Sequence, residues 1–302
     1  MKIPSEISIG VCVNDPTVNE GVDFTVEKYA HALRRIALQG FKAIEYSHVA
    51  HLSESECRQI KDITLRLGMR PWSVHSEHLN SPEPEALAEY LRVQTICARN
   101  TAALGCSIMV LHPPNAELSV ERMAEIAGNV AAIAGNYNIR AAIENIYTIL
   151  RLLEIVERAD HPNLGVTLDT GHARLIGPEA VLEAIRIFSG RIWTVHLQDN
   201  LGEIDDHLPP GLGIIDWWET ITALWNSGYE APLIVELTGY GVKTRRSCQA
   251  LRTLPLEVEQ VLAINYLKYI HAVLCNGEIV ADDPVRTSRY EQGKLKPLSN
   301  IT

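Results

Sequence analysis

The sequence of 302 residues lacks five features, each of which would have pointed to a class at once. Its six cysteines (Cys12, Cys57, Cys97, Cys106, Cys248 and Cys275) include no CxxC pair. So scattered a set reads as small buried hydrophobes or reduced thiols, not as a disulfide framework or a thiolate metal site. No apolar stretch approaches the roughly 20 residues a membrane span needs; runs such as 130–134 are typical. The opening MKIPSEIS has no apolar core of a secretory leader, so a soluble, cytoplasmic protein is expected. Positive charge is scarce: 27 Lys and Arg stand against 37 Asp and Glu, a formal charge of -10. On average that repels a polyanion, which disfavours nucleic acid as a partner without ruling out a local patch. A Gly-rich turn of the GxGxxG or GxxxxGK kind is also missing after the first strand-like run, against a nucleotide-binding open sheet. With 46% hydrophobic and 21% charged residues, what remains is ordinary globular composition, long enough for one large domain or two modest ones.

Short runs rich in Val, Ile and Leu alternate with longer segments of helical period along nearly the whole chain. Eight candidate strands fall at 7–13, 43–48, 70–76, 107–113, 140–146, 164–170, 191–197 and 232–238. The clearest helical segments are 24–38, 53–67, 84–104 and 120–137, with a last helix over 256–275. Ser53 and Ser119 are placed as N-caps, and Gly40, Gly68 and Gly105 where a left-handed C-cap is wanted. Near-continuous apolar strands joined by helical crossovers predict a parallel sheet covered by helices. Eight such units match an α/β fold with a single (β/α)8 TIM barrel over 1–275 better than a doubly wound sheet. The polar remainder, 276–302, reads as a C-terminal extension packing on the barrel or on a neighbouring subunit.

A barrel of this kind works at the carboxyl ends of its strands. There the sequence places His75, His112, Glu144, Asp169 with His172, His196 and Glu236 on six consecutive strands, and the loop after strand 7 adds Asp205 and His207. One strand-end His or Glu is most often a hydrogen-bonded structural residue. Recurrence at the same point of six strands is not a packing pattern, and gathered carboxylates repel unless a cation neutralises them. A divalent-metal site is therefore expected. His48, His51 and His78 lie near the same face but outside the pattern, and surface or indirect roles are expected of them. His31, His161 and His271 fall in helical or interhelical positions. Trp72, Trp193, Trp217, Trp218 and Trp225 read as packing residues, although a strand-adjacent Trp could wall a sugar pocket. Lys243, Arg245 and Arg246 follow strand 8, where barrels often hold phosphate, but a solvated basic loop is an equal reading.

The motifs LHPP (111–114), IEN (143–145), LDTGHA (168–173), VHLQDN (195–200), DDHLPPGLGIIDW (205–217) and IVELTG (234–239) resemble those of the xylose isomerase-like barrels. That group includes sugar and sugar-phosphate isomerases and epimerases and also endonuclease IV. DTGHA with HLPPGxGxIDW is most similar to the sugar phosphate isomerase/epimerase set. The resemblance implies a single-metal site at Glu144, Asp169, His196 and Glu236. Such an oxygen-rich set suits Mn, Co or Mg as well as Zn. It also implies an isomerase or epimerase acting on a small sugar, sugar phosphate or related polyol. Glu144 and Glu236 would be acid and base, with proton transfer through an enediolate that a dication stabilises. His172 would orient substrate, and Arg174, Lys243, Arg245 or Arg246 would meet a phosphate.

The same resemblance carries an alternative. His75, His112, Glu144, Asp169, His172, His196, Asp205, His207 and Glu236 match the nine ligands of the three-zinc cluster of endonuclease IV, so one to three ions are implied, and a multinuclear-zinc phosphoesterase with them. Departures weigh against DNA repair: IGVCVNDP lacks the HVS and Gly-Gly pattern of the first loop, SHVAHLSES lacks basic and aromatic residues, and Leu212 stands where an acidic residue is usual. No lysine sits at these strand ends, against a hydride-shift aldose isomerase. A barrel that only senses a carbohydrate is a third reading, disfavoured by the presence of both Glu144 and Glu236. A homo-oligomer is compatible with the extension and the family.

Overall fold

A computed structural model describes residues 3–13, 25–47, 49–79, 81–114, 116–237 and 253–276. Eight strands form one parallel sheet: β1 Ile9–Cys12, β2 Ala43–Ser47, β3 Arg70–His75, β4 Ile108–Leu111, β5 Arg140–Glu144, β6 Leu164–Asp169, β7 Ile192–His196 and β8 Leu233–Val235. Neighbours run in the order β7-β6-β5-β4-β3-β2-β1-β8. A parallel bridge from Leu197 to Val235 joins the two ends of this series and closes the barrel. Closure rules out the doubly wound alternative. All eight strands fall inside the expected windows, each trimmed where the chain leaves the ladder. The trimming matters at β8, which ends at Val235, so Glu236 sits just past the strand and not within it.

The crossover helices are α1 Val26–Gln39, α2 Glu54–Arg66, α3 Pro84–Leu104, α4 Val120–Gly135, α5 Ile149–Ala159, α6 Thr170–Ile176, α7 Ala180–Ile187 and α8 Trp217–Asn226, and α9 Leu256–Asn276 follows the last strand. Ser53 caps α2 with a reciprocal Ser53–Glu56 capping box, and the Ser119 hydroxyl accepts from the Arg122 amide at the start of α4. Gly40 and Gly105 end α1 and α3 with φ of 90° and 78°, where a side chain would be strained. The last helix includes Asn276, one residue beyond the expected boundary; the extension from 277 on lies outside the described residues.

Side chains alternate across the strands, except where the register slips at Trp72 on β3 and Trp193 on β7. Met109, Leu111, Ala141, Ile143, Val166, Leu168 and Val195 face outward and pack with the helices. The residues between them face the lumen, where Cys12, Ala43, Trp72, Ile108, Val110, Ala142 and Ile234 form a second apolar cluster with Trp193 against it. Arg70 and Arg140, at the start of their strands, stack over Trp72 and Trp193 at 4.5 and 4.6 Å. The two tryptophans therefore seal the amino-terminal end of the barrel, and neither walls the mouth. Trp217 and Trp225 pack in the outer core. Further along the inward positions, apolar filling gives way first to Glu45 and then, at the mouth, to His75, His112, Glu144, Asp169, His196 and Glu236.

Candidate metal centre

Four of these side chains, Glu144, Asp169, His196 and Glu236, offer ligand atoms that all lie within 4.8 Å of one another, and all four are buried. His196 Nδ1 is 3.0 Å from Glu144 Oε1 and 3.4 Å from Glu236 Oε2. Backbone pairing sets Asp169 beside His196 on adjacent strands. Asp169 also caps α6, accepting from the His172 amide at 2.6 Å, which turns His172 back over the same cluster. His172 Nδ1 reaches Glu144 Oε1 at 3.5 Å and Asp169 Oδ1 at 3.7 Å.

Glu144 also faces a second group. Its Oε2 is 2.9 Å from His112 Nε2 and 3.7 Å from His75 Nε2, and those two imidazole nitrogens stand 3.1 Å apart. His75 Nδ1 donates to the Ser76 carbonyl at 3.2 Å, so neutral His75 turns a lone pair toward His112. His78, expected at the margin, brings its ring within 3.8 Å of that of His112. A third group joins Asp205 Oδ2 to His172 Nε2 at 3.3 Å and to His207 Nε2 at 2.8 Å. All nine residues picked out by the sequence therefore meet at one mouth. Arg174 is half-buried on α6 with its guanidinium beside Gly202, in the loop that carries Asp205. Lys243, Arg245 and Arg246 lie outside the described residues, as does His48.

A scaffold of amides holds this array. Asn145 donates to the Asp169 carbonyl at 2.8 Å and accepts from the Asp169 amide at 2.6 Å. Gln198 donates to Asp169 Oδ1 at 3.2 Å and to Asp205 Oδ1 at 2.6 Å. A Cβ at Gly171 would run into that Gln198 amide, so glycine is required there. Asp199 accepts from the amides of Gly211 and Ile215, both at 3.1 Å, and from the Trp217 indole at 2.7 Å. That network folds the HLPPGLG loop back over the mouth and presents His207, whose φ of 47° lies in the left-handed region.

Electrostatics show what the cluster wants. Burial alone would raise the Glu144 carboxyl, but His196 and His112 outweigh it and hold it well below the usual carboxylate range. Burial opposes charge on His196, yet Glu45, Glu236 and Glu144 raise it well above the ordinary imidazole value. His75 is pushed up to about 9, its burial overcome chiefly by Glu144. Asp169 rises to about 7, first through burial, with Glu144, Glu236 and Asp205 adding to the effect against His172. The site thus gathers protons to balance its carboxylates, a role a divalent cation fills better. Glu144 Oε2 and His172 Nδ1 are buried without a hydrogen-bond partner, and both point into the array. Three carboxylates with an imidazole, plus a facing imidazole pair, make a donor set that fits such a cation.

One residue here escaped the sequence reading. Glu45, midway along β2, is fully buried, with Oε1 2.9 Å from His196 Nε2. The signal was present: a carboxylate inside an otherwise apolar strand needs a partner across the lumen.

Comparison with known proteins agrees with this architecture. An uncharacterized protein of Methanocaldococcus jannaschii is 29% identical over 237 residues, covering 70% of this chain and 80% of that protein. Among solved structures, an L-ribulose 3-epimerase superposes with a TM-score of 0.71 at 19% identity, over 92% of this chain and 99% of the other. A D-tagatose 3-epimerase-like protein gives 0.69 at 22% identity, over 90% and 99%. These likenesses establish the fold. Residues 33–254 match the family model described as xylose isomerase-like TIM barrel, and the chain belongs to that family.

Proposed function

We propose that this protein is a divalent-metal-dependent isomerase or epimerase acting on a small sugar, sugar phosphate or related polyol. The observation that carries this reading is the convergence of Glu144 and Glu236 on His196 Nδ1, at 3.0 and 3.4 Å, with Asp169 completing the group of donors. Glu144, Asp169, His196 and Glu236 would hold Mn, Co or Zn; a bound dication lowers the free energy of negative charge developing on adjacent substrate oxygens. Glu236, just past β8, and Glu144, at the end of β5, approach that position from different walls of the barrel. One carboxylate removes the proton beside the carbonyl and the other returns it, the ordinary division of labour in general acid–base catalysis. His172, held through its backbone by Asp169, orients the substrate hydroxyls. Arg174, with Lys243, Arg245 and Arg246, would meet a phosphate. The barrel over 1–275 would be the catalytic domain and 276–302 an extension to it. Relatives of this fold whose names specify ketose 3-epimerases support a carbohydrate substrate. The test is deuterium wash-in from solvent at a sugar carbon across a panel of ketoses and aldoses; no exchange with any of them under metal saturation would overturn the assignment.

A second reading is favoured by one specific observation. Glu144 Oε2 with His75 and His112, and Asp205 with His172 and His207, supply more donors than one ion requires. A multinuclear-zinc phosphoesterase resembling endonuclease IV would use them to activate water and clamp a phosphate ester. Cleavage of an abasic-site oligonucleotide by zinc-loaded protein would favour it, and exchange at a sugar carbon without cleavage would remove it. Among the described residues no helix is long and apolar enough to cross a membrane.

A further inference from the structure

Beneath the mouth, the lumen holds a polar cluster that the proposed chemistry does not use. Inward positions of a (β/α)8 barrel are normally filled by bulky apolar side chains, and an ionised carboxylate there is costly unless its oxygens are met. Glu45 is such a carboxylate, fully buried on β2. Oε1 accepts from the Cys12 thiol at 3.0 Å, and Oε2 accepts from the Ser73 hydroxyl at 2.6 Å. The register between β2 and β3 slips between Ile44 and Glu45, and the slip sets Ser73 directly opposite Glu45. Cys12 comes from β1, the neighbour on the other side. Three adjacent strands thus hold one carboxylate in place.

What that carboxylate faces is His196, across the barrel on β7. The ring is fully buried and its two nitrogens look in opposite directions. Nδ1 lies among the candidate ligands, 3.0 Å from Glu144 Oε1 and 3.4 Å from Glu236 Oε2. Nε2 meets no aligned hydrogen bond, and Glu45 Oε1 stands 2.9 Å from it, a charge contact. An imidazole can give a cation only the nitrogen that carries no proton, and the acceptor beside the other nitrogen decides which one that is. We infer that Glu45 is a positioning residue of the metal centre: its carboxylate keeps the ring proton of His196 on Nε2 and so presents Nδ1 to the cation. Cys12 and Ser73 keep the carboxylate aimed at the ring. The inference rests on the metal-centre reading above and adds to it a residue that touches neither ion nor substrate.

The test uses full-length protein stripped with chelator and titrated with Co(II) alone, followed by competition with a chelator of known affinity. Glu45→Gln keeps the shape and loses the charge; it is expected to weaken Co(II) binding about 10-fold, and Glu45→Ala about 100-fold, the range typical for an orienting partner of a ligand histidine. The Co(II) visible spectrum should shift in both variants, and metal-free Glu45→Gln, which leaves the buried His196 charge one partner short, should stay folded with a lower melting temperature. Unchanged Co(II) affinity in both variants, or a lower metal-free melting temperature with unchanged affinity, overturns the inference while leaving the metal centre standing. Parent protein that takes up no Co(II), Mn(II) or Zn(II) overturns both. Wild-type protein loaded with Zn(II) supplies an arm independent of variant folding. Two-bond nitrogen–proton NMR should find the His196 ring proton on Nε2, assigned by its loss in His196→Gln. A proton on Nδ1 overturns the inference.

Discussion

Single side chains at the mouth divide by what each oxygen or nitrogen faces. Glu236 is within 3.4 Å of His196 Nδ1 and 3.8 Å of His207 Nδ1, so its carboxylate reaches both the four-ligand array and the histidine of the loop. Glu236→Gln removes the base while keeping the shape. Turnover is expected to fall 10²- to 10⁴-fold with substrate affinity changed far less, checked by kcat and KM on protein of measured metal content. A variant with full turnover contradicts the proton-transfer role. His112 tests a different point. Two nitrogens each about 2.0–2.1 Å from one tetrahedral ion stand roughly 3.3 Å apart, and His75 and His112 are set at 3.1 Å with the unpartnered Glu144 Oε2 beside them. His112→Ala is therefore expected to lower the number of Zn(II) ions retained per chain by one, measured by elemental analysis, and to leave the ion held by Glu144, Asp169, His196 and Glu236. An unchanged ratio would show that the His75–His112 pair holds no ion of its own.

At the scale of elements, the loop between β7 and α8 depends on Asp199. Its carboxylate is fully buried, and burial raises it while the Trp217 indole and the backbone amides around it act the other way. Asp199→Ala strands those donors inside the protein. Each buried orphan costs about 1–3 kcal/mol, so a total loss of about 3 kcal/mol or more is expected as a lower urea midpoint at unchanged slope. Because the loop carries Asp205 and His207, metal retention should fall with it. A midpoint within experimental error of the parent would show that the loop is held by other contacts. The same loop shows where sequence reading works and where it stops. His207 and Asp205 were legible because DDHLPPGLG is a compact motif, and the strand-end residues because near-continuous apolar runs such as IMVL stop abruptly at a histidine. Glu45 was missed because attention to strand ends passes over an inward position one layer lower, although alternation from Ala43 points to it. The approach of His78 to His112 depends on loop geometry that no period encodes. The short helices α6 and α7, seven and eight residues, offer too few turns for a periodic signal.

For the whole molecule, the consequence of burying so many carboxylates in one mouth is a linkage among protons, metal and folding. His75, ordinarily near 6.5, titrates at about 9 in the folded protein, because Glu144 overcomes the opposing effect of its burial. Its stabilising contribution is fully present below pH 6.5 and is lost as pH rises through about 9. Asp169 acts in the same direction at lower pH: burial, reinforced by neighbouring carboxylates, moves it from 3.8 to about 7, so folding is disfavoured as pH rises across that interval. The metal-free protein should therefore melt at progressively lower temperature between about pH 6.5 and 9. A divalent cation takes over the balancing of Glu144, Glu236 and Asp169 and no longer competes with protons as pH rises. At a free metal concentration of about 100 Kd the added stability is about 2.7 kcal/mol, or about 5 °C for a chain of this size. The metal-induced shift in melting temperature, measured by calorimetry at fixed free Mn(II) or Co(II), is accordingly expected to be larger at pH 9 than at pH 6. A shift that shrinks as pH rises, or a metal-free protein that grows more stable over the same interval, would mean that the charge cluster is balanced within the protein and has no call for a cation.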